Sequence, residues 1–182
     1  MRQLQFHEVD ESRWAGFVRL FESNGAPKYC WCMAWRAGRA ELGGKGPERK
    51  AAMRRRVAAG VPIGILGYLE GEPVAWCSVA PRPTFRGLGG IEAPDERPED
   101  VWSITCFFAK RDLRKQGVTR SLIQAAVEQA RAKGAKVVEA YPVDPGSPSY
   151  RFMGFVSPFE AAGFRHVGRT GSRRHVMRLE LG

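Results

Sequence analysis

The sequence predicts a mixed α/β (α+β) domain, and three observations predict it. Strand-like and helix-like stretches follow one another in the order β, helices, ββ, β, α, β, α, ββ. The stretch VWSITCFFA, residues 101–109, is β-branched and aromatic throughout, which suits a pleated, packed strand. Shortly after it, Val118, Leu122, Ala126 and Ala130 recur every four residues, with Ile123, Ala125 and Val127 beside them, which marks one apolar face of a helix. No repeat, low-complexity tract or linker divides the 182 residues, so they read as one domain, 1–182. A hydrophobic fraction of 43% is enough for a core without disulfide or metal staples.

Each element has its own justification. LQFHEV, 4–9, reads as a first strand. Asp10 can cap a helix in which Trp14, Phe17, Val18 and Phe21 share a face, ended by Gly25-Ala26-Pro27. RAGRAELGGKG is a basic, glycine-rich loop, and Pro47 suits the first turn of a helix to about Gly60. Residues 64–82 read as two strands around the turn EGEP, and the polar stretch to Asp100 is a loop. Gly134 can close the amphipathic helix, KVVEAYPV (136–143) is a strand, and SPFEAAGF (157–164) is a short helix closed by Gly163. FRHVGRT and RHVMRLEL are two closing strands.

A net charge of +10 and a pI near 10.0 favour an anionic partner: nucleic acid, a membrane surface or a phosphate-rich cofactor. The first residues lack the apolar region of a secretory signal. The longest mostly apolar run, VAAGVPIGILGYL, is too short and too rich in Gly and Pro to span a bilayer. A cytoplasmic protein without membrane partners is expected, with its four cysteines reduced.

One unit carries a mechanism. Between the strand 101–109 and the amphipathic helix lie Lys110, Arg111, Arg114, Lys115 and Arg120, with Gly117 at the helix start. The first N–H groups of a helix lack partners and face the positive end of its dipole, and a glycine there admits a phosphate to the backbone. Neither a P-loop nor a G-x-G-x-x-G fingerprint occurs. In this position Arg114-Lys115-Gln116-Gly117-Val118-Thr119 resembles the [RQ]-x-x-G-x-[GA] pyrophosphate loop of the GNAT superfamily of acyl-CoA N-acyltransferases. FEAAGF, 159–164, resembles that family's "YEKLGF"-like ending before the last two strands, so the likeness covers most of the chain, the N-terminal third by element order alone. It implies a GNAT fold, with a mixed, mostly antiparallel sheet of about seven strands and flanking helices. It also implies transfer of an acyl group, usually acetyl, from acetyl-CoA to a primary amine in a ternary complex, without a metal. The cofactor would lie on Arg114, Lys115, Gln116, Gly117, Val118, Thr119 and Arg120, and backbone N–H groups of Phe107, Phe108 and Ala109 would face the oxyanion.

Two residues depart from the family pattern. Thr119 stands where Gly or Ala is preferred, although its hydroxyl can donate to a phosphate. Phe159 aligns with a tyrosine that often serves as general acid, and phenylalanine has no proton to give. The chemistry still needs a neutral amine, and stripping a lysine-like ammonium at pH 7 costs about 4 kcal/mol. Alternation puts Glu139, Tyr141 and Val143 on one strand face, where Glu139 or Tyr141 could reach the amine, and Tyr150 is the other tyrosine able to replace the missing one. Core packing for Tyr141 and an arginine partner for Glu139 are the plain readings beside these.

KYCWCMAWR, 28–36, holds two of the four cysteines and two of the five tryptophans. C-x-C is neither the usual zinc spacing nor a redox C-x-x-C. Core packing and an acceptor wall both fit, and in a GNAT arrangement Trp31 or Trp35 would face the acceptor. The run RKAAMRRR, 49–56, is either a solvated helix face or a seat for an anion. Glu92, Asp95, Glu96, Glu99 and Asp100 could attract a cationic amine or simply form a polar loop. His166 and His175 can face each other across the closing strands. Two other function classes stay open: a catalytically weak acyl-CoA sensor, which Phe159 suggests, and a basic nucleic-acid binder, which the absence of an RNP1-like pattern disfavours. The acceptor could be an antibiotic, a polyamine, an amino acid or a peptide N-terminus, and a homodimer is open.

Overall fold

The computed structural model describes residues 3–182; Met1 and Arg2, the first two residues of the domain read over 1–182, lie outside the described residues. Seven strands form one sheet in the order β1-β2-β3-β4-β5-β7-β6. They are β1 Gln5–Glu8, β2 Gly64–Leu69, β3 Glu72–Pro81, β4 Val101–Ala109, β5 Val137–Ala140, β6 Arg165–Thr170 and β7 Arg174–Glu180. Every pairing is antiparallel except that of β4 with β5. The helices are α1 Trp14–Phe21, α2 Gly46–Ala58, α3 Val118–Ala132 and α4 Val156–Ala161. The mixed, mostly antiparallel sheet with flanking helices is the one the sequence predicts.

Local chemistry explains the elements. Asp10 accepts a hydrogen bond from the Arg13 N–H at 3.1 Å and starts a 3-10 turn that leads into α1. Pro47 sits in the first turn of α2, where its missing N–H costs nothing. The β2–β3 connection needs only Glu70 and Gly71, both with positive φ, as a two-residue hairpin of primed type requires. In α3 the apolar stripe is buried as expected, with Leu122, Ile123, Ala126 and Ala130 at 0–1% exposure. Burial of a side chain the size of Leu122 contributes about 2 kcal/mol.

Two cores flank the sheet. One packs α3 and Phe159 of α4 against β3, β4, β5 and β7, and the other packs α1 and α2 against Leu66, Trp76 and Phe108. A third, smaller cluster gathers Phe85, Leu88, Tyr141 and Met153. One boundary differs from the sequence reading. The strand read over 136–143 ends at Ala140, and Val143 then makes single bridges to Phe155 and Arg174. That early end shapes the site.

Candidate active site

β4 has nine residues, but only Val101 to Ile104 pair with β5, opposite Val137 to Ala140. Beyond Ile104 the two parallel strands part. On the other edge the β3–β4 register steps from Val79 opposite Ile104 to Ser78 opposite Cys106, so Thr105 is the extra residue of a bulge. The second half of β4 therefore lacks a β5 partner and carries a kink.

The chain then enters the basic loop. Lys115 and Gly117 have φ of 63° and 78°, and Gly117 caps α3 without any side chain bonding to the first N–H groups. A Cβ at Gly117 would meet nothing within 4 Å, so the approach is open. Arg114, Lys115, Gln116 and Arg120 are exposed, Thr119 is partly buried, and Val118 turns into the core. This arrangement fits a pyrophosphate: free N–H donors, a positive dipole end and exposed bases around them.

Beside the unpaired half of β4 is a cavity of about 400 Å³. One wall is Thr105, Cys106, Phe107 and Phe108, and the opposite wall comes from residues 25–35, including Cys30, Cys32 and Trp35. Phe152 closes the rim. Trp31 and Cys32 both have positive φ, 50° and 58°. Two successive non-glycine residues in that region are strained by about 1–2 kcal/mol each and persist only where the surroundings hold them. Their turn divides the tryptophans. Trp31 is 3% exposed and stacks on Phe21 at 5.6 Å, so it is core; Trp35 is partly buried and lines the cavity. The shared acceptor-wall reading is thus corrected for Trp31. Trp31→Ala is expected to lose about 3–5 kcal/mol in a thermal melt, as removal of a packed aromatic does.

What holds the strained turn is Arg36. Its guanidinium is 4% exposed and donates to the carbonyls of Cys32 (2.9 Å) and Ile63 (2.6 Å) and to Ser78 Oγ (2.8 Å). Among the described residues no carboxylate pairs with it. A buried guanidinium needs a counter-charge, and the nearest candidate is Cys32 Sγ, 3.4 Å from Nη1. That sulfur also accepts from Trp76 Nε1 at 3.4 Å. The hydrogen bond from Cys106, helped by the Arg36 charge and Trp76 and opposed by burial, lowers the Cys32 thiol to about 6. Cys106 shifts the other way, because it shares its proton with Cys32 and is buried. Cys32, not Cys30, thus meets the buried guanidinium, a pairing with no spacing signature. Among the described residues no three His, Cys, Asp or Glu side chains could hold a metal ion.

The structure does not bring together the three residues read as catalytic. Glu139 and Tyr141 do share a face, but both are 0% exposed. Glu139 accepts from the Tyr141 hydroxyl (2.6 Å), Arg178 (2.9 Å), the Ile91 N–H (3.1 Å) and Arg82 (3.4 Å). Burial and the Glu139 charge push the Tyr141 phenol well above its usual range, and its hydroxyl is also bonded to Ser103. Neither residue has a lone pair or proton turned toward the cavity; they anchor the loop 82–97, which passes so close that a Cβ at Gly90 would lie 1.7 Å from Glu139. Tyr150 differs: it is 38% exposed and packs on Trp35 (6.2 Å) and Phe152 (6.3 Å), both of which line the cavity. Phe159 is buried between Phe107 and Phe164 as an apolar filler.

Of the acidic loop, Glu92 and Asp95 are exposed without an ion pair among the described residues, whereas Glu99 lies against Arg97 and the other two are engaged more closely. Glu96 pairs with Arg82 and Arg178, and Asp100 with Arg97. His166 and His175 do meet, Nε2 to Nδ1 at 2.9 Å, and His175 reaches Asp144, in a chain remote from the cavity lining. Sequence reasoning missed Arg36, Thr105 and Arg49, whose roles come from contacts far along the chain.

Comparison with known proteins places this geometry. No curated protein matches the sequence. Among solved structures, the aminoglycoside acetyltransferase AAC(6')-Ib in complex with ribostamycin and coenzyme A superposes with a TM-score of 0.62 at 18% identity, over 98% of this chain and 94% of that one. A putative acetyltransferase, yncA, from Salmonella typhimurium with acetyl-CoA gives 0.58 at 13% identity, covering 99% and 95%. The ribosomal-protein-alanine N-acetyltransferase of Brucella melitensis gives 0.58 at 15%, covering 98% and 100%. These likenesses are of fold. The Acetyltransferase (GNAT) family model matches residues 45–155, from α2 through β4 and the basic loop to the residue before α4, and the chain belongs to that family.

Proposed function

We propose that this protein transfers an acetyl group from acetyl-CoA to a primary amine by direct attack in a ternary complex. One observation carries the reading. The uncapped N-terminus of α3 and the cavity along Thr105 to Phe108 lie at consecutive places on one strand–loop–helix unit, so a pyrophosphate on the first would direct a thioester toward the second. Structural neighbours hold acetyl-CoA or coenzyme A, which supports that cofactor here. The loop would hold it through Arg114, Lys115, Gln116, Arg120 and the N–H groups from Gly117 to Thr119. The unpaired backbone of Phe107, Phe108 and Ala109 would face the developing oxyanion.

The amine nitrogen forms a bond to the carbonyl carbon, the C–S bond breaks, and coenzyme A leaves as a thiolate. Tyr150 gives that thiolate a proton and recovers one from the new amide nitrogen. Of the three residues read as catalytic from the sequence, it is the one left for this role once Glu139 and Tyr141 are engaged elsewhere. A cytoplasmic enzyme suits the reading, and no helix among the described residues is long and apolar enough to cross a membrane.

The buried Phe159 favours one alternative, an acyl-CoA sensor without turnover. A thermal shift with acetyl-CoA, followed by thiol release over a panel of amines, separates them. A shift with turnover supports the transferase, and a shift with no turnover on any amine supports the sensor. No shift, with salt-sensitive binding of nucleic acid, would replace both. Tyr150→Phe should lower kcat by about 100-fold. Full kcat across pH in that variant removes Tyr150 from the proton path.

A further inference from the structure

Four of the five bases in the run on α2 are paired with acids of the chain. Lys50 pairs with Glu22 (2.7 Å), Arg54 with Glu11 (2.9 Å), and Arg55 (3.4 Å) and Arg56 (2.9 Å) with Glu41. Arg49 is different. Among the described residues no carboxylate lies within ion-pair distance of it, and its Nη1 reaches only the Tyr29 carbonyl at 3.3 Å. Its Nε is buried without a hydrogen-bond partner. Trp35 Nε1 is buried without a partner as well. Both residues line the cavity of about 400 Å³. Two residues lining a single cavity thus each carry an orphaned N–H donor just beneath its surface, and one of them is an unpaired cation. Buried donors of this kind find partners in nearly all native structures, and where none is present in the chain a ligand is the natural acceptor.

The rest of the lining narrows the ligand. It includes no Asp or Glu, and it presents Tyr29, Phe107, Phe108 and Phe152. A polyamine or a multiply charged amino sugar would meet a cation and aromatic rings with no counter-charge. A guanidinium is instead shaped for a carboxylate, which it binds through two parallel hydrogen bonds.

Resting on the acetyl-transfer reading of this cavity, we infer that the acceptor is an amine bearing a carboxylate on a compact apolar body, of the class of aromatic α-amino acids. Arg49 and the Trp35 N–H receive the carboxylate, and the aromatic wall receives the side chain. The carboxylate takes no part in the bond changes; it fixes the amine before the thioester.

The test compares acids with their decarboxylated twins. Thiol release from acetyl-CoA is measured with phenylalanine against phenethylamine, tryptophan against tryptamine, and with spermidine and kanamycin. The acids are expected to exceed their twins in kcat/KM by at least about tenfold, because a site built to pair a charged group rejects the analogue lacking it. Arg49→Gln should abolish that ratio, and Arg49→Lys should recover part of it. Phenylalanine should also protect the coenzyme A complex in a thermal shift, and Arg49→Gln should lose that protection while its own melt stays cooperative. Equal rates for acids and twins, or an unchanged ratio in Arg49→Gln, overturns the inference and leaves acetyl transfer standing. So does turnover confined to spermidine or kanamycin. Acetyl-CoA binding without turnover on any amine overturns the transfer reading itself, and this inference with it.

Discussion

Glu139→Ala is expected to destabilise the protein by about 3–5 kcal/mol, the usual consequence of removing one partner from a buried ionic network. The carboxylate is 0% exposed and stands between Arg178 at 2.9 Å and Arg82 at 3.4 Å. It also accepts from the Ile91 N–H and the Tyr141 hydroxyl. Alanine removes at once the fully buried acceptor shared by two guanidinium groups, one backbone donor and one phenol, and leaves Arg82 and Arg178 only Glu96 as a counter-charge. Urea unfolding measures the loss, and for a chain of this length the midpoint temperature should fall by about 10 °C. Limited proteolysis should then cut within 82–97, because Glu139 holds that loop to β5. Glu139→Gln keeps the shape and the acceptor oxygen and should fall between the two. An alanine variant within 1 kcal/mol of wild type would mean that the network contributes no more than a surface pair.

Cys32→Ala should cost a similar amount, about 3–5 kcal/mol, because it leaves Arg36 buried without a counter-charge. Its pH dependence identifies the cause. The Cys32 thiol lies at about 6 in the folded protein, against an ordinary value of 9.0. A group with a lowered folded value stabilises fully above its unfolded value and loses that contribution as pH falls through the folded one. The stability gap between wild type and Cys32→Ser should therefore be smallest below pH 6 and should widen steadily toward pH 9. Serine fills the same space without an easily ionised group, so packing alone would give a gap independent of pH. A gap that narrows toward pH 9 would rule out the thiolate–guanidinium pair.

These two residues show where sequence reading succeeds and where it stops. Periodicity is local, so β4, α3 and the hairpin at Glu70-Gly71 were legible from a few neighbouring residues. Alternation likewise put Glu139 and Tyr141 on the same face of one strand. It could not say that the face would be filled by Arg82, 57 positions away, and Arg178, 39 positions away. The same limit governs KYCWCMAWR. Its aromatic and sulfur content fitted both core and wall, and only the left-handed turn at Trp31 and Cys32 sends one tryptophan inward and the other to the cavity. The basic loop was legible because an anion site at a helix N-terminus is made of consecutive residues. The acceptor side was not, because Arg49 gains its meaning from the partners that its neighbours have and it lacks.

The early end of β5 also has a mechanical side. The sheet consists of two antiparallel plates, β1–β4 and β5–β7–β6, and the strand pairing between them is a seam four residue pairs long. Flexing about that seam changes the width of the wedge beyond Ile104 while the ladders within each plate stay intact. On one face α3 braces the seam, and on the other the Glu139–Arg82 pair crosses it. The wedge is thus a jaw with a short hinge and two stays.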